Sequence, residues 1–331
     1  MKKNLSILFM LVFMLLSACE NELPYMDKPQ APQLLMNAFL EAEKEENGVF
    51  LCIIDADGQQ IDRVSNGFIV VYVNGEKTET AQVEKLYGSF NAPNCTLKTL
   101  FRPGDHIRLE ATAEGGQYRA DCEVEIPLPI EETIRVDTLR TQLRGSSGMK
   151  DCMQYKITIC DRPDEKNYYR LVIEENIYRI SSEDGVRYGP FTSCPEIINQ
   201  EDLVLTDGHL TTADDDKFGI LDLAVRNLGN VFTDGRFENG SYTLKVYTSI
   251  PYISGINGKD HNYLDVTVRL LSISQSYYRY LRAMNCLNSE DYNETFMEPV
   301  IVPQNVSGGL GFVGTSSEQR IILRMIDRMP L

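Results

Sequence analysis

The clearest pattern in the chain lies in its last quarter. Leu264, Val266, Val268 and Leu270 alternate there with Asp265, Thr267 and Arg269. A period of two places every apolar residue on one face of a strand. Between residues 34 and 126 the pattern recurs in LLMNAFLEA, VFLCIID, FIVVYVNGE, CTLKTLF, HIRLEATA and QYRADCEVEI. Asp57-Gly58, Asn74-Gly75, Pro103-Gly104-Asp105 and Gly115-Gly116 read as the turns between them, with a further loop over 88–94. About seven short strands in roughly 95 residues predict an immunoglobulin-like sandwich.

IPLPIEETI (126–134) carries prolines at alternate positions, which suits a strand exit or hinge. The domain boundary is placed there, giving units 34–130 and 131–331. In the second unit YKITICD, YYRLVIEENIYRI, FGILDLAVRNL, SYTLKVYTSI and YLDVTVRLLSIS read as strands. SSEDGVRYGP reads as turn, and much of 194–216 as acidic irregular chain. The period then changes. Ser274 can cap a helix over about 275–288, with Tyr277, Leu281, Met284 and Leu287 on one face as core packing. QRIILRMI supplies a last strand. The predicted fold class is mostly β: an N-terminal immunoglobulin-like sandwich, then a larger β-sandwich or barrel-like domain with one C-terminal-region helix.

The first residues follow a different rule. Lys2 and Lys3 precede an apolar run from Leu5 to Leu16, broken only by Ser6. About a dozen residues is the length of a signal peptide's apolar region, short of the ~20 needed to span a bilayer. Leu16-Ser17-Ala18-Cys19 follows, and it resembles the bacterial lipobox. The resemblance implies cleavage after residue 18 and acylation of Cys19 with palmitate-type chains. At about 0.8 kcal/mol per buried CH₂, two or three chains make a stable anchor in outer-membrane lipid. Glu20 and Glu22 resemble the acidic export signal that sends such lipoproteins to the cell surface. Residues 19–33, with three prolines in LPYMDKPQAPQ, read as an extended lipidated tether.

Charge narrows the partners. The chain carries 32 basic and 48 acidic residues, a net charge of −16, and losing Lys2 and Lys3 makes it more negative. Nucleic-acid binding needs clustered Lys and Arg to displace counterions, so it is excluded. The run Glu41 to Glu46 reads as a solvated loop or hairpin end. Of eight cysteines, Cys19 goes to lipid and an odd number remains. Cys52, Cys122 and Cys160 lie in strand-like runs as small buried hydrophobes, and a Cys52–Cys122 bridge is one open pairing.

Several segments in order resemble one family: the lipobox, then "VEIPLPI", "ITICDRPDEKNYYRLVI", "LLSISQSYYRYLRAMN" and "EPVIVPQNVSGGLGFVG". Together they are similar to the Bacteroidota lipoproteins catalogued as domain of unknown function 4249, over nearly all the mature chain. The resemblance implies an accessory protein of a TonB-dependent outer-membrane transporter. It carries no catalytic residues across.

Little in the residues points to catalysis. His106, His209 and His261 have no paired spacing and read as structural. Ser147-Gly148-Met149-Lys150 matches the S-x-x-K signature, yet it sits in a Gly/Ser-rich loop without companion motifs and reads as chance. Asp55, Asp57 and Asp62, and Asp214 to Asp216, offer hard oxygen ligands in turns, but neither set completes a calcium loop. No metal site and no cofactor is therefore expected. Asn305, Ser307, Gly308, Gly309 and Gly311 form a candidate ligand or partner loop, because glycine exposes backbone N–H groups; a structural crossing is the competing reading. The expected function is non-catalytic: a surface-exposed outer-membrane lipoprotein that binds a ligand or assists a TonB-dependent nutrient transporter. The alternatives are a structural or adhesin-like surface protein and, behind it, a surface hydrolase.

Overall fold

The structure is a computed structural model that describes residues 31–55, 61–84, 92–145, 148–162, 165–181, 183–208, 227–250, 261–289, 292 and 299–325. Cys19, Glu20, Glu22, His209, the Asp57-Gly58 turn, Asp214 to Asp216, Ser147 and most of FGILDLAVRNL lie outside the described residues.

The chain is mostly β, with strands sorted into three sheets. In chain order they are β1 (Gln33–Glu41), β2 (Asn47–Ile54), β3 (Ile61–Arg63), β4 (Gly67–Val73), β5 (Glu76–Gln82), β6 (Cys95–Leu97), β7 (His106–Ala113) and β8 (Tyr118–Glu125). Then come β9 (Arg135–Gly145), β10 (Gly148–Cys160), β11 (Tyr168–Ile180), β12 (Arg187–Ser193), β13 (Val231–Thr233), β14 (Ser241–Ser249) and β15 (His261–Ile273). Helix α1 (Gln275–Leu287) and β16 (Val313–Met325) close the chain. A nine-stranded sheet runs β12-β11-β15-β16-β1-β2-β3, with β13 and β6 paired beside β11 and β2. Sheets β5-β4-β7-β8 and β14-β10-β9 face it.

Two cores result. In the first, Leu34, Met36, Ala38 and Leu40 of β1 meet Ile69 and Val71 of β4 and Ile107, Leu109 and Ala111 of β7. In the second, Leu264, Val266, Val268 and Leu270 of β15 meet Tyr155, Ile157 and Ile159 of β10 and Leu244 and Val246 of β14. Fully burying one such aliphatic side chain is worth about 1.5–3 kcal/mol, which is why the period-two pattern dictates these faces. The proline-rich hinge passes from one core to the other: Ile126 packs in the first, Ile130 and Ile134 in the second.

β16 joins the two halves. It pairs antiparallel with β15 through Ile273↔Ser316 to Leu264↔Met325, and parallel with β1 through Ala38↔Val313 to Glu41↔Ser316. The first and last strands of the chain are thus neighbours, and one sheet runs across residue 130. Arg269 ties this junction. Its Nη1 donates to Glu174 of β11 at 2.7 Å, and its other nitrogens donate to Glu41 of β1 and Glu318 of β16.

Four local expectations change. CTLKTLF yields only the three residues of β6, because the Glu79 carboxylate draws the chain off the sheet by accepting from the N–H groups of Lys98 and Thr99. RYGP, the end of the segment read as turn, opens strand β12 (RYGPFTS), which is held by pairing to β11 with every residue exposed. β9 and the first half of β10 carry no apolar alternation, so only the YKITIC half of this hairpin was readable as strand. Cys122 is a free buried thiol, pushed up to about 12 by burial and then by Asp121 and Glu123, so the Cys52–Cys122 bridge is not formed.

Helix α1 begins where the capping residue requires. The Ser274 Oγ accepts from the Tyr277 N–H at 3.3 Å. Tyr277 is buried against Phe39 and Phe312, and Leu281 is half-buried beside it. The other buried residue on the helix is Asn285, whose amide bonds Asn227 Oδ1 (3.0 Å) and the Gly229 N–H (2.8 Å).

Candidate functional site

The glycine-rich loop resolves into a seam. The Ser307 N–H donates to Asp121 O (2.7 Å), and the Ser307 carbonyl accepts from the Asp121 N–H (2.9 Å). Leu310 bonds Leu34 O and the Met36 N–H, both at 2.9 Å. A Cβ on Gly309 would lie 2.3 Å from Leu34 O, and one on Gly311 would lie 2.2 Å from Met36 O. Glycine is required at both because β1 backbone passes directly beneath. Asn305 closes its own turn, accepting from the Val313 N–H and donating to Val313 O, each at 2.8 Å. The donors of Ser307, Leu310 and Asn305 therefore serve β8, β1 and β16 in turn, and within 305–311 Ser307 and Gly308 stay exposed.

The "DRPDEKNYY" segment builds a carboxylate pair. Asn167 donates from Nδ2 to Asp161 Oδ1 (3.0 Å) and Asp234 Oδ2 (3.3 Å), and from its backbone N–H to Asp234 Oδ2 (2.7 Å). The Tyr169 hydroxyl also donates to Asp161. Burial and then the neighbouring Asp161 push the Asp234 carboxyl above the usual range, although the Asn167 N–H pulls the other way. The oxygens of the two carboxyls already accept from the fold's own donors, and the pair clamps the β10–β11 turn onto the turn after β13.

The free edge of the nine-stranded sheet is chemically different. Tyr178 of β11 faces Tyr263 of β15 directly, their rings stacked with centroids 4.9 Å apart. The Arg187 guanidinium lies 3.9 Å from the Tyr178 centroid and 5.2 Å from that of Tyr263. Arg179 covers the Tyr188 ring at 5.6 Å. Cation–π contacts at exposed sites contribute about 0.5–1 kcal/mol each, enough to restrict these side chains. Beyond them Phe191 is 62 % exposed, with Tyr188 and Val186 also open. Aromatic residues and arginine on a stiff hairpin are the composition of a protein-binding surface. Gly189 and Pro190 within β12 blunt its outer backbone edge, so contacts here are made by side chains. Reading the segment as turn concealed this surface; Tyr178 and Tyr263 only meet once β11 and β15 are in register.

A second concavity, about 430 Å³, lies on the outer face of the four-stranded sheet beside Tyr72, His106, Arg108, Glu123 and Glu125. Arg108 stacks on Tyr72 at 4.9 Å, and the Tyr72 hydroxyl donates to Glu110 (3.1 Å). His106 is exposed there, 4.0 Å from Glu125. No cluster of three or more metal-capable side chains occurs among the described residues, and no helix among them is long and apolar enough to cross a membrane.

Fold and surface together define a double β-sandwich protein built on one shared sheet. The chain belongs to the family described as Domain of unknown function (DUF4249), whose family model matches residues 20–322. No curated protein matches the sequence. Among solved structures the chain is similar to the beta-glucuronidase of Parabacteroides merdae, at 9 % identity and a TM-score of 0.20, covering 73 % of this chain and 24 % of that one. The same enzyme with glycerol in its active site gives 8 % identity, a TM-score of 0.20, and coverage of 73 % and 23 %. The chain thus spans about a quarter of the length of these structures, and likeness at this level carries no argument about activity.

Proposed function

We propose that this protein is a surface-exposed outer-membrane lipoprotein, held by acyl chains on Cys19, that acts without catalysis as the binding partner of a TonB-dependent nutrient transporter. The observation that carries the reading is the β11–β12 hairpin. On an acidic chain with a lipobox, it presents Tyr188, Phe191 and the arginine-capped tyrosine stack at the end of a sheet. Family membership supports the context, and the leader and acidic Glu20 and Glu22 support the location.

The test is extraction of native membranes in mild detergent. The wild-type chain is expected to co-purify with a β-barrel transporter. A Tyr188→Ser/Phe191→Ser variant is expected to lose that partner while keeping its melting temperature, since both residues are exposed. Recovery of the wild-type lipoprotein alone, with intact transporter elsewhere in the extract, would overturn the proposal.

A further inference from the structure

One rung is missing from the nine-stranded sheet. Along the outer edge of β11, the odd-numbered residues direct their N–H and C=O groups away from β15, as the bond from the Leu171 N–H to Asn230 O (3.0 Å) shows. Tyr169 is matched there by Phe232, and Glu175 by Ser193. Between them stands Ile173. Continuing the Ile177↔Phe191 and Glu175↔Ser193 register places residue 195 opposite it, and residue 195 is proline. Proline has no N–H to give, and the strand leaves the ladder at Cys194. From the other side β13 ends at Val231 opposite Arg170, and Asn230 turns away with φ of 50°. Among the described residues, the backbone of Ile173 therefore has no partner on this edge.

The space in front of Ile173 is a cavity of about 280 Å³, lined by Cys194, Pro195, Asn199, Asn227 and Asn230 among others. Its walls are fixed. Asn199 Nδ2 donates to Asn227 O (3.0 Å) and Asn230 Oδ1 (2.8 Å), and Asn227 Nδ2 donates to Leu205 O (2.9 Å) and Val231 O (2.7 Å).

We infer that this notch binds the main chain of a short extended peptide from a partner polypeptide, which supplies the missing rung beside Ile173. The chemistry selects the class. An N–H and a C=O at ladder spacing need an acceptor and a donor at the same spacing, which one residue in β conformation provides. A carboxylate or an aliphatic group cannot. At about 3.3 Å per residue, the gap between the ends of β12 and β13 admits two to three residues. Peptide capture at a sheet edge takes its affinity from these main-chain bonds. The inference stands on the sheet edge alone, whatever the chain's anchor or transporter.

The test follows amide hydrogen exchange at Ile173 in the full-length chain in mild detergent. Two probes are used: N-acetyl-Thr-Val-Thr-amide and the same peptide N-methylated at the valine nitrogen. Without peptide, Ile173 is expected to exchange faster than Tyr169 and Glu175. With the first peptide at millimolar concentration it slows by about tenfold or more. With the N-methylated peptide it does not, and alkylating the exposed Cys194 with a bulky maleimide abolishes the protection. Equal slowing by both peptides, no slowing by the first, or an Ile173 amide already as protected as its neighbours would each overturn the inference.

Discussion

Replacing Arg269 with methionine should loosen the joint between the N-terminal strand and the rest of the sheet. The Arg269 side chain is 20 % exposed, and those of Glu41, Glu174 and Glu318 are 23 %, 24 % and 25 % exposed. An exposed ion pair is worth about 0–1 kcal/mol, whereas stranding the partner of a buried one costs about 3–5. These groups lie between the limits; Glu174 and Glu318 are stranded and Glu41 is left with Lys44, so the expected loss is about 2–3 kcal/mol. Burial works against the charge on Arg269, yet the hydrogen bond to Glu174 and the charges of Glu318 and Glu41 leave its pKa raised. Lysine should rescue little, because one ammonium cannot hold three carboxylates in the fork that guanidinium provides. The chain has no tryptophan and 17 tyrosines, so urea unfolding is followed by tyrosine fluorescence and far-UV circular dichroism. With a urea dependence of about 2–3 kcal/mol per molar, the midpoint should fall by about 1 M. Adding Glu318→Gln to Arg269→Met should recover part of that loss by thinning the stranded charge. Burial tends to raise the Glu41 carboxyl, but hydrogen bonding from Lys44 and the charge of Arg269 hold it below its ordinary 4.5. A depressed carboxyl contributes stability above its unfolded value and loses it as pH falls through the folded one. The difference between wild type and Arg269→Met should therefore be full at pH 7 and shrink once pH drops below about 4. An unchanged midpoint at neutral pH, or a difference that grows on acidification, would refute the reasoning.

Two further outcomes test the packing directly. Gly309→Ala forces a Cβ to 2.3 Å from Leu34 O, and it should cost about 3 kcal/mol or block folding, while Ala at the open Gly75 turn costs only its positive-φ strain of about 1 kcal/mol; thermal melts of the two variants compare them. Glu175 is buried beside the second core, and burial pushes its carboxyl up to about 7. A raised carboxyl is fully tolerated below its unfolded value and destabilises as pH rises toward the folded one, so Glu175→Gln should match wild type at pH 4 and exceed it by about 3 kcal/mol above pH 8, read from urea midpoints.

What the sequence disclosed follows what each feature depends on. β4, β7 and α1 were legible because burial favours one face of each, and β15 because its apolar residues 264–270 share one face, although Asp265 and Thr267 on the other face are buried too. Ser274 marked the helix start because a hydroxyl is needed there. The helix's buried face was misjudged at its C-terminal end: Met284 and Leu287 are only half-buried, while Asn285 is buried through bonds to residues 227 and 229, which no helical period encodes. β12 was hidden because its pairing buries no side chain. The parallel pairing of β1 with β16 joins residues nearly the whole chain apart, and local pattern holds no information about it. The glycine cluster at 308–311 was visible as a place of close approach, but β1 as the neighbour was not. The Tyr178–Tyr263–Arg187 stack and the notch at Ile173 both arise from register across strands, and Pro195 alone was a readable sign that a ladder must end there.

The central claim is that acyl chains on one sulfur hold this double sandwich at the cell exterior. The most direct measurement compares wild type with Cys19→Ala in whole cells, by membrane fractionation and by protease added outside. Wild type should fractionate with the outer membrane and be cleaved on intact cells, and the variant should leave the membrane fraction. A variant that stays with the envelope, or a wild-type chain that intact cells shield from protease, would contradict the account.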